Sequence, residues 1–285
     1  MSIAEAAMLV ELNISVWTAN KIDKDASRKV ADDNHAAADA GHFRKNLMAG
    51  SHLRKEIADY AAGCRLWHNT RTMPWADRGP RLLPTSLFFD YKQEANARQA
   101  YFDSKVSEFL VAYPRLVQTA HNYLGTLFDP NDYPDADEVR SKFGFRMVFS
   151  PVPTAGDFRI ELPAQEMEAM RQQYETHANE RVASAMKEQW GKLHDMVHRM
   201  SEKLVEPGED EEDKRRWHDT FLTNAHEMCA MLTHLNVTRD PTLEDARRGL
   251  ERAIAGVDID DLKENSDVRV DVKSKLDAML KQYEW

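Results

Sequence analysis

Cysteine is almost missing from this chain: Cys64 and Cys229 are the only two in 285 residues. That excludes a disulfide framework and a cysteine-clustered zinc site. A chain of this length also needs no bridge to hold its core, so free thiols in a reducing compartment are expected. Long apolar runs are missing too. No stretch reaches about 18 uninterrupted apolar residues, so no transmembrane helix and no membrane role are expected. The first residues, Met-Ser-Ile-Ala-Glu, are not a basic stretch followed by an apolar run. No secretory signal is therefore expected, and the cytoplasm is the default location. There is no phosphate loop, dinucleotide fingerprint or serine elbow, so no catalytic residue, cofactor or metal is nominated. An excess of basic charge is also lacking. The 48 acidic residues outnumber 38 basic ones, for a net charge of −10. This argues against a whole surface built for nucleic acid but permits a local basic patch.

A core is well provided for. Hydrophobic residues make up 42% of the chain, with 11 Phe and 6 Trp, which makes wholesale disorder untenable. The length suits one large domain or two modest ones. Two stretches dominate the pattern, 84–127 and 162–205. In the first, Phe88, Tyr91, Ala95, Phe102, Val106, Phe109, Tyr113, Leu116, Ala120, Leu124 and Leu127 recur mostly every three or four residues. In the second, Met186, Trp190, Leu193, Val197, Met200 and Leu204 do the same. Each stretch reads as a helix with one apolar face. A helix of about 40 residues spans roughly 60 Å. An antiparallel hairpin, each stripe covering the other in coiled-coil fashion, is the economical arrangement.

The rest is arranged around that pair. Leu12, Ile14 and Val16 alternate with polar residues and read as a strand, after a helix-compatible run from Ala4 to Leu9. Residues 21–41 are polar and alanine-rich, and 40–69 read as a helix. Residues 70–84 hold Pro74, Gly79, Pro80 and Pro84 and read as an ordered loop, with Pro84 at the start of the first long helix. After the turn at 129–132, a short helix over 135–142 and strands over 143–149 and 158–162 form a small head. Pro163 opens the second long helix, and helices over 213–235, 243–255 and 270–283 form a bundle. The expected class is α+β, mainly helical: a long antiparallel helical hairpin with a small antiparallel β head and a C-terminal helical bundle. The expected domains are 1–83, 84–205 with its head at 128–162, and 206–285.

Four constellations bear on function. His194 and His198 share one helical face at i and i+4. A zincin needs Glu directly after the first histidine, and here Asp195 stands there. No third ligand is named by spacing, so the pair reads as partly exposed flanks of the apolar stripe. Cys64 and His68 have the same spacing but no orienting group. The segment 41–81 carries eight basic residues against three acidic ones. Its Arg65, Trp67, Arg71, Trp75, Arg78 and Arg81 are the candidate nucleic-acid contacts, because arginine with exposed aromatics binds phosphates and stacks on bases. Phe145, Met147, Phe149, Pro151 and Pro153 in the head are the candidate partner-binding tip, since an exposed strand edge accepts another chain. The six acids between Glu206 and Asp213 read as a solvated linker.

Several short runs carry a family likeness. They are Leu12-Asn13-Ile14-Ser15-Val16-Trp17, Leu82-Leu83-Pro84, Phe128-Asp129-Pro130-Asn131-Asp132-Tyr133-Pro134, Lys142-Phe143-Gly144-Phe145 and Pro151-Val152-Pro153-Thr154-Ala155-Gly156-Asp157-Phe158-Arg159. In these, over roughly residues 10–240, the chain resembles an uncharacterised bacteriophage and prophage protein family. Members are often encoded beside a cobaltochelatase-like AAA+ ATPase. The resemblance implies a phage accessory protein in the host cytoplasm with an ATPase partner, and it carries no catalytic residues over. The expectation is a non-enzymatic adaptor, itself open to homo-oligomerisation. A DNA-binding factor using 41–81 is the alternative.

Overall fold

A computed structural model describes residues 3–76, 79–154, 163–205, 220–283 and 285. In chain order, α1 (Ile3–Ala6) leads into β1 (Ala7–Ser15), β2 (Asn20–Ile22), α2 (Lys24–Asp33), β3 (Arg44–Asn46) and α3 (Leu53–Arg71). Next come β4 (Met73–Pro74), β5 (Arg81–Pro84), α4 (Phe88–Thr119), α5 (His121–Leu124), α6 (Ala136–Ser141) and β6 (Gly144–Ser150). The remainder is α7 (Ala164–Lys203), α8 (Thr220–Leu235), α9 (Pro241–Ile254), α10 (Ile259–Glu264) and α11 (Ser266–Gln282). The fold is mainly helical with a small antiparallel sheet, as the patterning implies. One sheet has the order β4-β5-β1-β6, and β2 and β3 form a second.

The chain divides into two compact units, each assembled from segments distant in sequence. One comprises Met1–Glu11, Asn69–Phe89 and Phe149–Trp285. In it β1 pairs antiparallel with β5, from Ala7 opposite Pro84 to Val10 opposite Arg81, and β5 pairs with β4. Its core joins Met73, Trp75 and Leu82 to Leu193, Val197 and Met200 of α7, Leu232 of α8, Leu250 of α9 and Leu276 of α11. The helix starts follow local chemistry. Asp240 caps α9 by accepting from Thr242 N at 2.8 Å, ahead of Pro241 at the first position. Asp258 and Asp261 form a reciprocal capping box on α10.

The other unit comprises Leu12–His68 and Asp90–Val148. Its core is aromatic: Trp17, Phe102, Phe109, Tyr113 and Phe145 pack with Ile57, Ala61 and Cys64 of α3 and Val139 of α6. Phe109 and Tyr113 both pack on Trp17, with ring centroids 6.3 and 5.8 Å away. Both cysteines are free and buried, one in each unit.

The two apolar stripes exist, but their partners differ from the expected seam. The α4 stripe, Phe102 to Tyr113, is buried against α3 and β-strand residues of its own core. The α7 stripe, Leu193 to Leu204, is buried against α8, α9 and α11. Period alone identifies a face and not what covers it. Pro114 lies inside α4. The proline removes one backbone bond, to the carbonyl of Leu110, and the helix continues past it to Thr119. The segment expected as a loop contains β4 and β5, and Pro84 ends β5 instead of opening the helix. The helix-compatible start stops at Ala6 because Ala7–Val10 is recruited to pair with β5. The strand expected over 158–162, the acidic run 206–213 and Trp217 lie outside the described residues.

Candidate functional site

One concave surface on the unit of Leu12–His68 and Asp90–Val148 is built from a stretch that reads as merely polar. Asp23 caps α2, accepting from Ala26 N at 2.9 Å. One turn on, the Ser27 hydroxyl donates to the Asp23 carbonyl and accepts from Phe43 N at 2.9 Å. Asp23 N in turn donates to the Phe43 carbonyl at 3.0 Å. These bonds fold the 34–43 segment back over α2. His35 makes the turn with φ +52°, and Asn34 Nδ2 closes on the Val30 carbonyl at 2.8 Å. Between helix and segment lies a cleft of about 370 Å³ walled by Val30, Ala31, Ala36, Ala40, His42 and Phe43. Val30 is 52% and Phe43 38% exposed; Ile22, 41% exposed, sits on the strand paired with the Arg44 end of β3. Val30 and Phe43 thus leave apolar surface in the wall of this cleft in contact with water.

A buried ionic cluster holds this region. Lys45 Nζ lies 2.6 Å from Asp132 Oδ2 and 3.0 Å from Asp23 Oδ2, and donates to the Leu127 carbonyl at 2.7 Å. Lys21 reaches the other oxygen of Asp132 at 2.6 Å. Burial pushes Lys45 and Asp132 toward their neutral forms. The hydrogen bonds outweigh it, so the Lys45 ammonium is held above its ordinary value and the Asp132 carboxyl below. The Asp23 carboxyl is lowered first by the Ala26 N–H and then by Lys45. The cluster ties the β2–β3 pair, and with it the cleft, to the turn at Pro130–Asp132.

The basic segment does not form a stacking platform. Trp67 and Trp75 are each only 5% exposed. Trp67 stacks on Tyr91 at 4.6 Å beneath the Arg98 guanidinium, and Trp75 lies under Arg181 at 5.4 Å. Neither face is open to a base. Arg65 donates to the Ile14 carbonyl at 2.8 Å, and Arg71 reaches Thr70. Arg81 is held by Thr72 at 2.8 and 3.0 Å, with Glu188 at 3.9 Å. Arg78 lies outside the described residues.

The head residues range from buried to exposed. Phe145 is 7% exposed and packs on Phe102, while Phe149 meets Phe88 edge-on at 5.2 Å. Met147 is half-buried, and Pro151 and Pro153 are exposed. The Pro153 carbonyl accepts from the Tyr174 hydroxyl. Beside it, Trp75, Met170, Tyr174, His177 and Arg181 line a groove of about 360 Å³.

Among the described residues, hydroxyls meet titratable side chains at Tyr91, Ser201 and Ser86. His68, buried, shares a 2.6 Å hydrogen bond with the Tyr91 hydroxyl. Ser201 donates to Asp277, whose other oxygen pairs with Lys273 at 2.5 Å. The Asp277 carboxyl is lowered by Lys273 and then by Ser201, which makes it a poor base. Ser86 Oγ lies 3.0 Å from His234 Nδ1 on an exposed surface. His194 and His198 are partly exposed at 35% and 50%, as their flanking position implies. Among the described residues, no three His, Cys, Asp or Glu side chains converge as metal ligands, and no helix is long and apolar enough to cross a membrane.

Sequence reasoning missed the cleft and its ionic support. The available signal was Val30 and Phe43, two isolated large apolar residues in a polar stretch. No protein-family model, curated protein or solved structure matches this chain.

Proposed function

We propose that this chain is a non-enzymatic interaction protein that seats an apolar side chain of a protein partner in the cleft over α2. The supporting observation is that Val30 and Phe43 remain 52% and 38% exposed in the wall of a cleft already held open by hydrogen bonds between Asp23, Ser27 and Phe43. A preformed pocket lowers the ordering cost of binding. The resemblance to the phage family supplies the finer reading: a phage accessory protein whose partner is the AAA+ ATPase encoded beside such genes.

Co-expression with such an ATPase, followed by affinity purification and light scattering, tests this. The wild-type chain is expected to co-purify at fixed stoichiometry. Val30→Glu and Phe43→Asp, both at exposed positions, are expected to abolish capture while leaving circular dichroism unchanged. Capture that survives both substitutions rejects the cleft. Self-association without ATPase capture assigns the surface to a second copy of the chain instead.

A further inference from the structure

We propose that His194 and His198 form a two-ligand chelate for a divalent transition ion of the zinc–copper class on the exposed side of α7. The residues stand one helical turn apart on one face, and their ring centroids are 5.8 Å apart. Two imidazoles bound to one ion at about 2.0–2.1 Å with a tetrahedral bite place their centroids about 5 Å apart. Small side-chain rotations close the difference, and the backbone need not move.

The neighbouring carboxylates set the donor atoms. His194 Nδ1 faces Asp195 at 3.5 Å, and His198 Nδ1 faces Glu202 at 3.4 Å. Each Nε2 is thereby left for the ion, the orientation that carboxylate-backed histidines adopt around metals. The side chains are 35% and 50% exposed, so water completes the coordination shell. With no third protein ligand converging among the described residues, the site is an open chelate and not a closed structural centre. The Trp285 ring lies 5.2 Å from His194 and 5.7 Å from Trp190, which sets two indoles beside the ion.

Copper(II) chloride titrated into the full-length protein is the test. The expected result is saturable quenching of tryptophan emission at one equivalent with a micromolar midpoint, and an electron paramagnetic resonance spectrum showing coupling to two imidazole nitrogens. His194→Ala and His198→Ala are each expected to weaken the midpoint by about ten-fold or more. His52→Ala, at a site whose side chain is 78% exposed, is expected to leave it unchanged. Circular dichroism checks that each variant is folded. A midpoint unaffected by either substitution, or no quenching below about 1 mM copper, overturns the proposal.

Discussion

Lys45→Met probes the ionic cluster most directly. The ammonium is 6% exposed and bridges Asp132 and Asp23. Methionine keeps most of the side-chain volume and deletes the charge. Asp132, 5% exposed, is then left with Lys21, whose side chain is 50% exposed. Orphaning one partner of a buried pair costs about 3–5 kcal/mol. The surviving Lys21 contact and the water around it reduce that, so the expected loss is about 2 kcal/mol. Urea denaturation followed by tryptophan emission measures it. The pH dependence has a definite sign. The lowered carboxyls of Asp132 and Asp23 contribute stability that is present above their ordinary 3.8 and lost as pH falls through their folded values. The raised Lys45 contributes stability that is present below 10.5 and lost as pH rises through its folded value. The difference between wild type and variant is therefore flat from about pH 5 to pH 10 and shrinks outside that window. Lys45→Met/Asp132→Leu is expected to recover much of the loss, because an apolar pair of similar volume needs no counter-charge. A single-variant loss below about 0.5 kcal/mol, or a double variant no more stable than the single, refutes the reasoning.

Glu244, lowered to about 2 chiefly by its hydrogen bond from Arg247, contributes stability above pH 4.5 that is lost toward pH 2. Glu244→Gln is expected to flatten acid unfolding in that window, and an unchanged acid limb contradicts this. Leu193→Ala and Phe109→Ala, both at fully buried sites, are expected to cost about 2–5 and 3–5 kcal/mol. Hydrogen exchange is expected to show the first lowering protection in α7–α11 and the second in α3–α4; equal loss in both units argues against separate cores. Gly50→Ala, at φ +79° with the new Cβ against the Tyr123 ring, is expected to cost about 1–2 kcal/mol in thermal or urea denaturation. A neutral result there denies the strain.

Periodicity made the buried faces legible. Phe102, Val106, Phe109 and Tyr113 are interior as spaced, and so are Leu193, Val197 and Met200. Turn and proline residues placed the short helix after the 129–132 turn and the start of α7 at Pro163 within a residue or two. What covers each face was not legible, because a stripe that fits one greasy surface fits many. Trp67 and Trp75 illustrate the same limit: composition made them a basic-aromatic patch, while packing under Arg98 and Arg181 took them inside. The cleft over α2 was hidden because hydrogen bonds such as that from Phe43 N to the Ser27 hydroxyl build it, and this one joins positions 16 residues apart with no shared motif.

The polypeptide leaves the first unit after Glu11, returns at Asn69, leaves again after Phe89 and comes back at Phe149. Every segment of the Leu12–Val148 unit has therefore emerged from the ribosome before the bulk of the other is made. At about 5–20 residues per second, the opening strand and its Arg81–Pro84 neighbour wait on the order of ten seconds for the helices that will cover them. Synthesis rate and chaperone supply thus bear on the earliest-made and latest-made segments together, and truncating either end deprives the other of its cover.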